Sequence, residues 1–142
     1  MIRSLKETHT SLQKIQKFLG DSLPSISLID KDRYHSVLFS LPQYQDVLIR
    51  EDDDGVIIAM ASIFIETRIT HGGANVCHAH DLVVKENDLD SKKAMIDYIS
   101  LYAKKHNCKE VIWISDVALE TSLDNAPLEA SDKKVMKVRI SN

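Results

Sequence analysis

The side chains best suited to chemistry are concentrated between residues 77 and 81, which read Cys-His-Ala-His-Asp. Imidazole can act as a metal ligand or as a base near neutral pH. His78 and His80 are two residues apart, so on a strand they lie on one face of the sheet, with Cys77 on the other. Such a pair can line a cleft or pack within the sheet, and the spacing leaves both possibilities open.

A metal site is the sharper alternative for these histidines. Together with His71 or Asp81, the pair offers ligands of the kind that zinc accepts. A pair of strand histidines without a metal is the commoner arrangement, and we therefore predict no metal centre.

The chain has two cysteines, Cys77 and Cys108, and they show no Cys-x-x-Cys or other zinc spacing. We expect two free thiols in a reducing compartment, with Cys77 in the core. Cys108 follows a predicted helix C-terminus, where the helix dipole does not lower a thiol pKa. A structural role is therefore predicted for Cys108 as well.

The elements that position these residues follow from apolar spacing, caps and turn residues. Asp30 is a predicted helix cap, and turns are predicted at residues 52–55 and at Gly72 and Gly73. The predicted helices cover residues 4–19, 31–41 and 91–106, and the predicted strands cover residues 46–51, 56–69, 75–84, 109–115 and 134–140.

The third helix has a predicted apolar stripe of Ala94, Met95, Tyr98, Ile99 and Tyr102. Asp90 or Ser91 is its predicted cap. The strand that follows this helix is predicted to be buried and parallel to the strand before the helix, which makes one parallel crossover. The order of elements predicts a mixed α/β (α+β) fold in one domain spanning residues 1–142.

The composition gives no support for two classes of partner. A net charge of −3 provides no polybasic footprint for nucleic acid. No run approaches the roughly 20 apolar residues of a membrane span, and the polar first ten residues lack the apolar core of a signal peptide. We expect a cytoplasmic protein.

Several segments resemble the GNAT N-acetyltransferases. Residues 50–66 look like the second and third strands of that superfamily, and residues 63–84, ending His-Ala-His-Asp-Leu-Val-Val, resemble its glucosamine 6-phosphate N-acetyltransferase branch. Residues 104–112 resemble the Gly-Cys-Tyr-Lys-Val-Ile segment of that branch, and Asn125 matches part of its Asn-x-x-Phe-Tyr segment, which implies a cofactor contact. The resemblance implies a GNAT-like acyl-CoA N-acyltransferase fold, with an antiparallel N-terminal half of the sheet and one parallel β-α-β crossover.

The resemblance implies acetyl-CoA as the acyl donor. In the family, the backbone of the strand with the Val-Val pair binds the pantetheine arm, which implies this role for Leu82, Val83 and Val84. A glycine-rich loop then binds the pyrophosphate at a helix N-terminus. Lys92 and Lys93 are the residues expected near the phosphates here.

The resemblance also implies catalytic residues. The family has a Glu-Asp pair where this chain has His80 and Asp81. His80 is therefore the expected base for a small primary amine, with Asp81 as its charge partner. An amino sugar phosphate is one candidate acceptor.

The loop at residues 85–93 departs from the family pattern. It contains no glycine, is about two residues shorter, and carries three acids that repel a pyrophosphate. The family's aromatic pair after Asn125 is Leu128-Glu129 here, so the phenol that protonates the thiolate is absent unless Tyr98 or Tyr102 replaces it.

Two alternatives follow from these departures. The chain can be a catalytically inactive GNAT-like binding or dimerisation module, or it can use a donor that does not need the pyrophosphate loop, such as an acyl carrier protein. A homodimer is expected, because family members often dimerise, in some cases through the C-terminal strand, here residues 134–140.

Overall fold

A computed structural model of the chain describes residues 1–8, 10–20, 24–86 and 88–114. Asn125 and the predicted strand at residues 134–140 lie outside the described residues. The described strands are β1 (Ile2–Ser4), β2 (Gln45–Glu51), β3 (Ile57–Arg68), β4 (Ala74–Val84) and β5 (Cys108–Ile114), and the α-helices are α1 (Leu12–Leu19), α2 (Lys31–Ser40) and α3 (Leu89–Lys105).

The five strands form one sheet in the order β1-β2-β3-β4-β5. Neighbours from β1 to β4 pair antiparallel, and β4 pairs parallel to β5. Tight turns suffice for the antiparallel hairpins, whereas the parallel pair needs a crossover, which α3 provides. The predicted mixed sheet, with an antiparallel half and one crossover, is confirmed.

Two apolar clusters cover the two faces of the sheet. On one face, α3 buries Met95 and Ile99 against small sheet residues that include Ala61 and Ala79. On the other face, the cluster combines Ile15 and Leu19 of α1 with Tyr34 of α2 and residues of β2 and β3. Cys77 is fully buried on the α3 face, as predicted, and both cysteines are free thiols.

The N-terminal prediction was wrong in its boundaries. The predicted helix at residues 4–19 is two elements, because Ile2–Ser4 pairs antiparallel with β2 at the edge of the sheet. The helix begins at Leu12, where the Ser11 side chain accepts a hydrogen bond from the amide of Lys14. Leu5 is buried although it lies before the helix, so its position in the apolar spacing did not indicate helical backbone.

The predictions for α3 and β5 also need correction. The cap of α3 is Asp88, not Asp90 or Ser91. Tyr98 is 37% exposed, and Ile96 is fully buried instead, so the buried stripe is rotated from the predicted one. Every residue of β5 is half-buried or exposed, so β5 is not the buried strand predicted.

Among the described residues, no helix combines the length and apolar content needed to cross a lipid bilayer.

Candidate functional site

The strand β4 contains a bulge at Asp81. Met60 pairs with Val83 and Ser62 pairs with His80, so Ala61 lies opposite two residues of β4. Asp81 has a φ of +55°, a left-handed conformation that Asp tolerates better than most residues. Bulges re-aim side chains and are frequent beside active sites, which makes this part of β4 the first place to look for chemistry.

At the bulge, His80 and Asp81 contact each other. The Nδ1 atom of His80 lies 3.3 Å from Oδ2 of Asp81, and the two side chains are 30% and 65% exposed. When Nδ1 carries the proton and donates a hydrogen bond to the carboxylate, Nε2 holds a lone pair and can accept a proton from a substrate. The pair can therefore work as a base with an orienting carboxylate.

An aromatic side chain joins the two histidines of β4. The Phe64 ring stacks on the His78 ring with centroids 4.5 Å apart and an interplanar angle of 9°. Its edge meets His80 at 5.9 Å. Because strand side chains alternate, Phe64, His78 and His80 lie on the face opposite to α3, which confirms the prediction that the two histidines share a face.

His78 is buried and has an acidic neighbour that the motif analysis missed. Its Nε2 atom lies 3.3 Å from Oε2 of Glu66 but lacks hydrogen-bond geometry. The contact is an ion pair only when the ring is protonated, because neutral imidazole carries no charge. Arg68 donates a hydrogen bond from Nε to the other oxygen of Glu66 at 2.6 Å. That bond is the main reason why the pKa of Glu66 is lowered. The sequence feature that could have indicated this neighbour is the spacing of Phe64, Glu66 and Arg68 at every second residue of one strand, which places them on one face.

Within the described residues, no three His, Cys, Asp or Glu side chains converge in a way that could hold a metal ion. His71 lies in the turn between β3 and β4, and its Nδ1 atom is 3.0 Å from the Thr70 hydroxyl.

Leu82, Val83 and Val84 form the last part of β4. Their side chains are half-buried: Leu82 and Val84 pack against the α3 cluster and Val83 against the opposite one. The last described pair between β4 and β5 joins His80 to Ile114, so residues 82–84 continue past it. The side chains of this segment are therefore turned into the two cores.

The connection from β4 to α3 is a tight turn. The amide of Lys85 donates to the Ile58 carbonyl at 2.8 Å, and the amide of Asp88 donates to the Lys85 carbonyl at 3.0 Å. Four residues, 85–88, therefore span the gap between strand and helix.

The Asp88 carboxylate caps α3. Its Oδ1 accepts from the Ser91 amide at 2.9 Å, and its Oδ2 accepts from the Ser91 hydroxyl at 2.7 Å. These bonds lower the pKa of Asp88, with smaller contributions from the charges of Arg50 and Lys85. A helix N-terminus is a common site for phosphate, but here an internal carboxylate occupies the Ser91 amide and adds a negative charge. The start of α3 does not fit a pyrophosphate.

The remaining predicted residues lie apart from His80. Lys92 and Lys93 follow the first turn of α3, where Lys92 is half-buried and Lys93 is exposed. Tyr102 packs with the α3 cluster, so the sheet separates it from His80.

Burial raises the pKa of the Cys77 thiol to about 12, and burial also raises that of Cys108. Neither thiol has the character of a nucleophile.

Similarity to solved structures supports the fold. An acetyltransferase from Trypanosoma brucei superposes with a TM-score of 0.70 at 19% identity, covering 96% of this chain and 99% of that one. Glucosamine-6-phosphate N-acetyltransferase from Arabidopsis thaliana gives 0.62 at 18% identity, with 94% and 97% covered. A GNAT family acetyltransferase from Staphylococcus aureus gives 0.67 at 12% identity, with 92% and 97% covered.

No protein-family model matches the sequence, and neither does the sequence of any curated protein. The structural similarity shows that the chain has the fold of the GNAT acyl-CoA N-acyltransferases, and the fold predicted from the sequence is confirmed.

Proposed function

We propose that this chain transfers an acetyl group from a CoA-type thioester, with acetyl-CoA as the reference donor, to a small primary amine. The observation that carries the proposal is the contact between His80 and Asp81 at the bulge of β4, directly before residues 82–84. Transfer to an amine needs a base beside the thioester, and this arrangement offers one next to the segment proposed for the donor.

In the proposed reaction, the amine nitrogen attacks the thioester carbonyl carbon while Nε2 of His80 accepts a proton from that nitrogen. A C–N bond forms and the C–S bond breaks, which leaves an amide, a thiolate and an imidazolium. The Asp81 carboxylate, 3.3 Å from Nδ1, can accept a hydrogen bond from that nitrogen and orient the ring. The proton then passes through water to the thiolate, and His80 returns to its neutral form.

The donor is proposed to lie along the backbone of residues 82–84, with the thioester towards His80. The resemblance implies that Lys92 and Lys93 lie near its phosphates, and because both follow the Asp88 cap of α3 we propose only a weak attraction at a distance. Asn125 is proposed as a further donor contact. These assignments carry over the roles implied by the resemblance, and the packing of Leu82 and Val84 supports the first of them.

A second candidate function is a catalytically inactive GNAT-like module that binds a partner or dimerises. The capping of α3 by Asp88 favours it, because this cap occupies the Ser91 amide and hydroxyl at the helix start, where a donor phosphate needs donors.

We further propose a homodimer that uses residues 134–140. The mass in solution of a chain ending at residue 133 tests this, since a dimer that persists in the shortened chain contradicts that interface.

The experiment that tests transferase activity is a thiol-release assay with acetyl-CoA and a panel of primary amines. Glucosamine 6-phosphate belongs in the panel because the Arabidopsis protein of similar structure is named for it. We expect amine-dependent thiol release that is lost in His80→Gln and retained in His71→Gln, the matched change at an exposed turn histidine.

The outcomes separate the two functions. No thiol release, together with an unchanged melting temperature at millimolar CoA, contradicts acyl transfer, because a ligand of the folded state must raise stability. A raised melting temperature without thiol release on any amine supports the inactive module.

A further inference from the structure

We infer that the site recognises its donor through the pantetheine arm and that the donor's pyrophosphate contributes little, because Asp88 supplies the anion at the start of α3. The inference rests on the proposed function and deepens it. It assigns the donor class as acyl-pantetheine thioesters, of which acetyl-CoA is one.

The first support is the length of the turn. Val84 ends β4 and Leu89 begins α3, and the Asp88 amide is bonded to the Lys85 carbonyl between them. An amide that donates to an internal carbonyl does not donate to a phosphate oxygen. A loop that wraps a pyrophosphate needs several amides directed outwards, and among the described residues of this turn the amides of Lys85 and Asp88 are both bonded internally.

The second support is the anion already present. Both oxygens of Asp88 are bonded to Ser91, and Ser91 is 1% exposed, so the cap lies on the buried side of the helix start. The pKa of Asp88 is lowered, so the group remains a carboxylate at neutral pH. A phosphate at this helix end has to displace or approach a fixed negative charge.

The third support is the charge balance around the turn. Arg50 and Lys85 act on the Asp88 carboxylate and offset its charge. Glu86 and Asp90 add two more acids to the same short segment. The cations near the helix start are therefore balanced by the protein, and little attraction is left for a second anion.

Calorimetric titration of the full chain with CoA and, separately, with pantetheine tests the inference without knowledge of the acceptor. A single charge-assisted contact to a phosphate makes CoA bind about tenfold or more tightly than pantetheine, and a working pyrophosphate site makes several such contacts. We expect the two dissociation constants to agree within about threefold. A larger preference for CoA overturns the inference and leaves the proposed function intact.

The variant Asp88→Asn sharpens the test. Asn is a good N-cap and still accepts from the Ser91 amide, so the helix start keeps its bond and loses its charge. We expect tighter binding of CoA, by about three- to tenfold, and unchanged binding of pantetheine. Asp97→Asn is the matched control, because it makes the same charge change at an exposed position more than two turns along α3.

Two results with the Asp88→Asn variant also contradict the inference. One is an unchanged affinity for CoA, and the other is an equal change for CoA and pantetheine. If neither compound binds the wild-type chain, the proposed function fails together with the inference. That failure is distinguishable from the others, because in each of them CoA binds.

Discussion

Two adjoining segments of the chain, the end of β4 and the start of α3, differ in what they offer a ligand. Residues 80–84 combine an imidazole-carboxylate pair, a bulge and a stretch of strand backbone past the last described pair with β5. Residues 85–91 form a tight turn and a helix start whose amide and hydroxyl donors at Ser91 are bonded to Asp88. A fold that keeps the first arrangement can therefore lack the second.

The two segments can therefore vary independently within one fold. In the proposed function, chemistry at the thioester depends on groups near the bulge, whereas affinity for a nucleotide depends on the helix start. Fold similarity alone does not show which of these parts a chain retains, and the side chains at each segment have to be considered separately.

The largest expected effect concerns the first segment. His80→Ala removes the proposed base, and general bases contribute about 10²- to 10⁴-fold to rate. We expect a loss of that size in the rate of amine acetylation, with binding of pantetheine unchanged. Steady-state kinetics with His71→Ala as control measures it, and a rate within about twofold of wild type removes His80 from the mechanism.

Phe64 supports both histidines of β4, so its substitution is expected to have the next largest effect. Phe64→Leu keeps an apolar side chain but loses the stacking on His78, a contact worth about 0.5–1.5 kcal/mol beyond area burial. We expect a loss of that size in the free energy of unfolding, measured by urea titration. Val56→Ala, at a half-exposed position in the turn before β3, is the control. An equal loss in both variants contradicts a specific role for the ring.

The bulge conformation itself can be tested at Asp81. With φ at +55°, Asp81→Ala costs about 1 kcal/mol of stability, whereas Asp81→Gly relieves the backbone and costs less. Both variants lose the carboxylate beside His80, so both should acetylate more slowly. A glycine variant less stable than the alanine variant shows that the left-handed conformation is absent.

The smallest effect concerns the second segment and its dependence on pH. The pKa of Asp88 is lowered in the folded chain, so its contribution to stability is complete above the unfolded value of about 4. It is lost as pH falls through the lowered folded value. We expect the difference in melting temperature between wild type and Asp88→Ala to shrink below about pH 4. A difference that is constant from pH 7 to pH 2 contradicts the charged cap.

The hairpins and the crossover were predictable from local signals. Gly55 and Gly72 mark turns at positive φ, and the alternation between them indicated β3 with the correct face for Phe64. The first helix was mispredicted because Leu5 has helical spacing relative to Leu12 yet is buried from a loop after an edge strand. Local spacing does not reveal pairing with a strand more than 40 residues away.

The details of the candidate site were less predictable. The bulge at Asp81 has no glycine to signal it, because Asp adopts positive φ without one. Glu66 lies close to His78 because Phe64 pairs with His78 in the hairpin of β3 and β4. That register depends on the length of the hairpin, which can be known only once the position of the turn is known. Asp88, Asp90 and Ser91 are all acceptable caps, and the tight turn from Lys85 selects the first.

The most direct test of the contrast between the two segments is an NMR titration of the backbone amides with CoA. We predict that the amide resonances of residues 82–84 shift progressively, while those of Asp88, Asp90 and Ser91 stay near their positions in the free chain. Shifts that are largest at residues 88–91, with residues 82–84 unchanged, contradict the assignment of the donor to the strand backbone.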